Sequence, residues 1–158
     1  MDVMQVGATW LHLLATVAML GYYAVFGLVL LPVIARIVPA AELRAAVVAV
    51  EGRAMPLIIG SLIVFLATGI YLMVSDPAYG GLGDVGGSTW ATLFLVKHLV
   101  VGAMVGVGVV IDALVVRRFA GPRSPDQAAA IRLLVGASGL MTLLGAMVLL
   151  LTAAGQAS

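Results

Sequence analysis

The chain contains no cysteine. That single absence excludes disulfides, thiolate metal sites, iron–sulfur clusters and covalently attached c-type haem, and it leaves His, Met, carboxylates and backbone as possible ligands. Charge is scarce as well: 9% of the residues are charged, where a soluble domain carries about 25%. With a net charge of +1 and no basic run interleaved with aromatics, the sequence argues against nucleic acid as a partner. A basic n-region is missing too. Asp2 stands in its place, and the apolar run from Val3 to Ala35 is too long for the h-region of a cleaved signal, so it is expected to be a first membrane span.

What is present is apolar. Hydrophobic residues make up 63% of the chain and the mean hydropathy is +1.22, so the solvent of this protein is expected to be mostly the lipid bilayer. Four runs, over about residues 6–36, 54–75, 89–116 and 133–154, each approach or exceed the roughly 20 residues that a helix needs to cross the hydrocarbon. Lipid offers no partners for free backbone groups, so such spans should be helical, and no alternating pattern of a barrel is visible. The expected fold class is all-α: an integral membrane four-helix bundle forming a single membrane domain over residues 1–158.

Seven of the eight basic residues fall in two segments, Arg36, Arg44 and Arg53, then Arg117, Arg118, Arg123 and Arg132. Cytoplasmic loops collect Lys and Arg. Both segments are therefore expected inside, with the termini and the Asp76–Ser88 loop outside, in a bacterial-type inner (plasma) membrane. Trp10 and Trp90 then fall near the outer ends of their spans, where interfacial aromatics belong. Ala40–Ala54, with Glu42, Arg44, Glu51 and Arg53, reads as an amphipathic cytoplasmic extension that meets the second span at a Pro56 bend. The Gly-rich outer loop lacks the Lys and the strand-to-helix setting of a phosphate cradle. A faint repeat, in which each half has a Trp-started span, a basic loop and an Arg before the next span, is equally expected of any two hairpins.

The polar residues inside the spans carry the functional signal. Lys97 alone breaks the basic pattern, and an ammonium at membrane depth costs roughly 2.5–3.5 kcal/mol on insertion scales, so it should face an interior, a cavity or an anionic partner. No acid on its own helix lies within reach, and the alternative is snorkelling to the headgroups. His12 and His98, the only two histidines, come from different spans and the same leaflet. Bundle cores are where haem and metal sites are built, and neutral imidazole is a common axial ligand; the plainer reading of His12 is an interfacial side chain bonded to a carbonyl or a lipid headgroup. Asp112 reads as an interfacial group facing Arg117 or water, with a proton path as the alternative. Gly102 and Gly106 form a GxxxG that suggests close helix approach. Met19 lies on the face of His12, and Met73 ends the second span; at such spacing Met is more often core than ligand.

Trp10-Leu11-His12-Leu13-Leu14-Ala15, the following Gly21, Arg53-x-x-Pro56 entering a span that ends Thr68-Gly69, and Trp90 followed by Leu95-Val96-Lys97-His98 together resemble the CopD and HemJ group of small membrane proteins. The resemblance covers most of residues 8–118. HemJ-type proteins are haem-binding protoporphyrinogen oxidases, and the resemblance implies His12 as a haem ligand, with Leu95 and Lys97 in a Leu-x-Lys motif whose Lys holds a propionate, a substrate carboxylate or the second axial position. The fourth span departs from that group: Arg132-Leu133-Leu134-Val135-Gly136 lacks the family's Asn-Glu pair and Pro, so the resemblance carries scaffold and haem site further than oxidase activity. CopD-type proteins handle copper, and there the candidate ligands are His12, His98, Met19 and Met73, since His and Met suit that metal. Three functions are thus expected in turn: a haem b protein of electron transfer or haem-linked redox chemistry with His12, His98, Lys97 and Leu95 at its site; a copper transport or handling protein; and a non-catalytic subunit packed in a larger membrane complex or a homo-oligomer.

Overall fold

The computed structural model describes residues 2–77, 79–81, 89–114 and 127–157, so Asp84 and the basic residues Arg117, Arg118 and Arg123 lie outside the described residues. All regular structure among these is helical. The protein is an all-α bundle whose four long helical rods, Val3–Ile37, Ala41–Val74, Ala91–Ala113 and Ala128–Ala154, are each long and apolar enough to cross a membrane.

The first rod has three parts. α1 (Val3–Tyr22) starts at Asp2, whose side chain accepts from the Met4 amide at 3.3 Å, satisfying one of the helix's free N-terminal donors. A π-helical segment (Tyr23–Leu30) follows, in which the Leu31 amide donates to the Phe26 carbonyl five residues back. α2 (Leu31–Ile37) closes the rod with Pro32 in its first turn. A proline inside a continuous helix lacks the amide proton and crowds the carbonyl four residues earlier. Widening the preceding turns relieves both conflicts, and it brings Tyr23, Phe26, Gly27 and Leu31 to the buried side.

α3 (Ala40–Val74) is one helix of 35 residues with Pro56 inside it. The expected extension and the second span are therefore continuous, and regular structure starts well before residue 54. α4 spans Thr89–Leu114 and α5 spans Gln127–Ala157, the latter beginning six residues ahead of the expected 133. The start of α1, the end of α3, the start of α4 and the end of α5 lie at one end of the bundle, called here the terminal end; the opposite end, with Arg36 and Arg44, is the basic end.

Packing is uneven. α3 lies along α1, the π-helical segment and α2 lie on α5, and α4 lies on α5, so the rods stand in the order α3, α1, α5, α4, and α3 and α4 share no comparable packing. The core of Tyr23, Phe26, Leu31, Leu43, Val47, Ile111, Leu134 and Met141 is concentrated toward the basic end. Close approach is set by glycines other than the expected pair: a Cβ at Gly27 would overlap Ser138, and one at Gly145 would overlap Leu20, whereas Gly102 and Gly106 have nothing within 4 Å. The outside is apolar, with Val17, Ile63, Leu99, Leu143 and Leu150 all exposed, as expected of a surface wetted by lipid.

Candidate functional site

Because α3 and α4 do not close on each other, the bundle holds a lateral groove. Its cavity of about 280 Å³ is lined by α1, α3, α4 and α5, near the lower edge of the about 300–1,000 Å³ of small-molecule sites. The walls are apolar and rich in thioethers: Met19 from α1, Met55 from α3, Met104 from α4 and Met141 from α5. Phe65 of α3 lines it toward the terminal end, and Tyr23 and Asp112 line it toward the basic end. The Tyr23 hydroxyl reaches α4 beside Gly108, whose missing side chain leaves room for it.

His12 lies one helical turn before Thr16, on the face of α1 that lines the groove further along, and its own side chain does not line the cavity. It is half-buried, and its ring stacks on Phe65 with centroids 4.4 Å apart. Nδ1 lies 3.1 Å from the Phe65 carbonyl and 3.0 Å from Thr68 Oγ1, while the Thr68 hydroxyl donates to the Val64 carbonyl at 2.6 Å. A carbonyl can only accept, so Nδ1 carries the proton and the neutral ring keeps its lone pair on Nε2. Gly69 leaves the ring its place, since a Cβ there would stand 3.2 Å from the imidazole. Nδ1 is thus taken by the Phe65 carbonyl and Thr68, and Nε2 has no hydrogen bond among the described residues.

Lys97 shares the α4 face of Val101, Met104 and Gly108, which line the groove, but it stands one turn beyond them and does not line the cavity itself. It is half-buried, and Nζ lies 5.4 Å from the Phe94 ring centroid, a cation–π distance. Its acidic neighbour comes from another element: Asp76, just past the end of α3, interacts with it electrostatically, and Lys97 interacts in turn with His12. Sequence reasoning looked for that acid along α4 and did not find it, because the partner is twenty-one residues away across a loop. Tyr79 follows Asp76 to the same place, its ring 6.4 Å from that of Phe94.

The remaining expected residues are spread out. His98 is exposed, and its Nδ1 meets the Phe94 carbonyl of its own helix at 2.8 Å; the structure places no contact between it and His12. Leu95 is 38% exposed on α4. Met19 lines the groove, while Met73 is half-buried near the terminal end and does not line it. Asp112 reaches the groove, and Arg117, its expected partner, lies outside the described residues. Among the described residues no three His, Cys, Asp or Glu side chains converge as a metal site would require.

One residue was misplaced by its context in the sequence. Glu51 sits in the stretch expected to be an amphipathic cytoplasmic extension, yet it is 6% exposed and its carboxylate accepts a hydrogen bond from the Tyr22 hydroxyl. Its i, i+4 spacing with buried Val47 and its i, i+7 spacing with Ile58 were the available signal, masked by the Arg residues on either side.

Comparison with family models, with curated proteins and with solved structures finds no match to the chain.

Proposed function

We propose that this is a membrane haem-b protein acting in electron transfer or haem-linked redox chemistry, with its groove as the cofactor site. The observation that carries the reading is the tethering of His12. Ligating histidines commonly donate their other ring N–H to a backbone carbonyl, which fixes tautomer and orientation and makes the free nitrogen a better ligand; His12 does this through Phe65 and Thr68. The donor set fits the group in two further respects. Met19, Met104 and Phe65 offer an apolar bed, and Lys97, half-buried at the same end, offers a cation to a propionate. His12 would hold the iron and Lys97 a propionate. Bound haem would supply a one-electron couple, while the protein's residues position it and exclude water.

The resemblance to the CopD and HemJ group supports the same reading. The arginines of the basic segments support an orientation with both termini outside a bacterial-type plasma membrane.

The test is visible absorption of protein made with ample haem. A Soret band is expected, lost or shifted in His12→Ala, and changed in His98→Ala only if both histidines ligate; wild-type protein without the band defeats the reading. Copper handling is the second reading, favoured by the four methionines that face one cavity, since thioethers suit cuprous copper. Stoichiometric copper in purified protein that lacks a Soret band would select it.

A further inference from the structure

Glu51 is left unused by the haem reading. It lies in a helix apolar enough to cross a membrane, is 6% exposed, and has the Tyr22 hydroxyl on one carboxylate oxygen. The other elements turn few ionisable groups toward it. The first rod presents Tyr22 at the end of α1 and Tyr23 at the start of the π-helical segment, α4 presents Asp112, and all three interact with it electrostatically. Nearby α5 contributes apolar Leu134 and Met141 to the core, and its Arg132 is exposed. No cation is paired with Glu51 among the described residues.

Such a group is a poor structural choice, because a leucine would pack as well without the cost of burying a charge. Ionisable residues at membrane depth are functional by default. Here the neighbours form a route: Glu51 touches Tyr22, the Tyr22 and Tyr23 rings lie 5.2 Å apart, and Tyr23 and Asp112 line the groove.

We propose that Glu51 is a proton-exchange site at the basic end of the groove, passing protons between that end of the bundle and the groove by way of Tyr22, Tyr23 and Asp112. Each transfer breaks one O–H bond and forms another, and no electron moves. A proton taken from water at the basic end raises the net charge of the four groups by one, and its release into the groove restores it. The destination rests on the groove being the reactive site proposed above; the exchange at Glu51 does not.

Infrared difference spectroscopy of the full-length protein in lipid nanodiscs, without added cofactor, tests this. A pH step should change a carboxyl C=O stretch that also shifts in D2O. Glu51→Gln should abolish that band, and Tyr22→Phe, which keeps the carboxyl and removes its donor, should shift it. Asp112→Asn should alter it if the two acids share the route. A folded Glu51→Gln variant with the wild-type difference spectrum overturns the assignment. Should that variant not fold, Tyr22→Phe decides, and an unshifted band is the overturning result; a band indifferent to Asp112→Asn removes the link to the groove. An absent Soret band leaves this proposal standing, whereas a normal Soret band with a silent Glu51 defeats it alone.

Discussion

At the scale of single residues, three polar side chains in this bundle meet partners from other elements. His12 reaches from α1 to α3 for its hydrogen bonds, Tyr22 reaches from α1 to Glu51 on α3, and Lys97 on α4 finds Asp76 beyond the end of α3. Lys97 is therefore less isolated than its own helix suggests. The Phe94 ring and Asp76 offset the cost of its partial burial, and snorkelling is not needed to explain its survival in an apolar helix. Lys97→Met separates structural from functional value, because it keeps the length and removes the charge. If Lys97 anchors a propionate, haem retention should fall about tenfold, or roughly 1.4 kcal/mol, as read by the haem dissociation constant. A variant that is fully loaded and equally stable would reduce Lys97 to a tolerated lysine in the field of Asp76.

At the scale of elements, the first rod shows how one imino acid reshapes a span. Pro32 interrupts the α-helical ladder, the turns ahead of it widen into the π-helical Tyr23–Leu30 segment, and the change in rotation turns Gly27 toward Ser138 on α5. Ser138 is 2% exposed and has no room to withdraw. Gly27→Leu should therefore destabilise the bundle by about 1–3 kcal/mol through overpacking, measured as a lowered unfolding midpoint in mixed micelles. Gly102→Leu, which meets nothing within 4 Å, should leave that midpoint within about 0.5 kcal/mol of wild type. Equal losses in the two variants would mean that the GxxxG face of α4 is covered in the membrane, as in a homo-oligomer. The motif was legible and its use within the chain was not: a GxxxG marks two small residues on one helix face, while helix order decides whether any helix lies opposite.

At the scale of the whole molecule, the arrangement α3, α1, α5, α4 leaves α3 and α4 without comparable packing among the described residues, so the groove opens on that side of the bundle. A ligand soluble in the bilayer can reach it sideways, which suits an apolar cofactor better than entry through either aqueous face. Orientation follows from charge. A reporter placed in the Asp76–Ser88 loop or after Ser158 should be extracytoplasmic, and one placed in Pro122–Gln127 cytoplasmic, because seven of the eight basic residues fall in the two sequence segments Arg36–Arg53 and Arg117–Arg132 and each resists translocation. The reverse labelling pattern would invert the topology and put the Glu51 end of the bundle outside.

The sequence by itself determined that this chain forms four apolar helices, and it did so because length and hydropathy are local quantities and lipid permits no other backbone solution for such runs. It also pointed to His12 and Lys97, since polar groups inside apolar runs stand out one residue at a time. Only the tertiary structure decided their partners. The Phe65 carbonyl and Thr68 for His12, Asp76 for Lys97, the burial of Glu51 under Tyr22 and the gap between α3 and α4 all depend on which helices lie side by side. The periodicity of a uniformly apolar helix does not mark the face that meets a neighbour, because lipid and protein interior are equally apolar. Helix order was instead settled by shape, through the π-helical turn ahead of Pro32 and the fit of Gly27 to Ser138 and of Gly145 to Leu20.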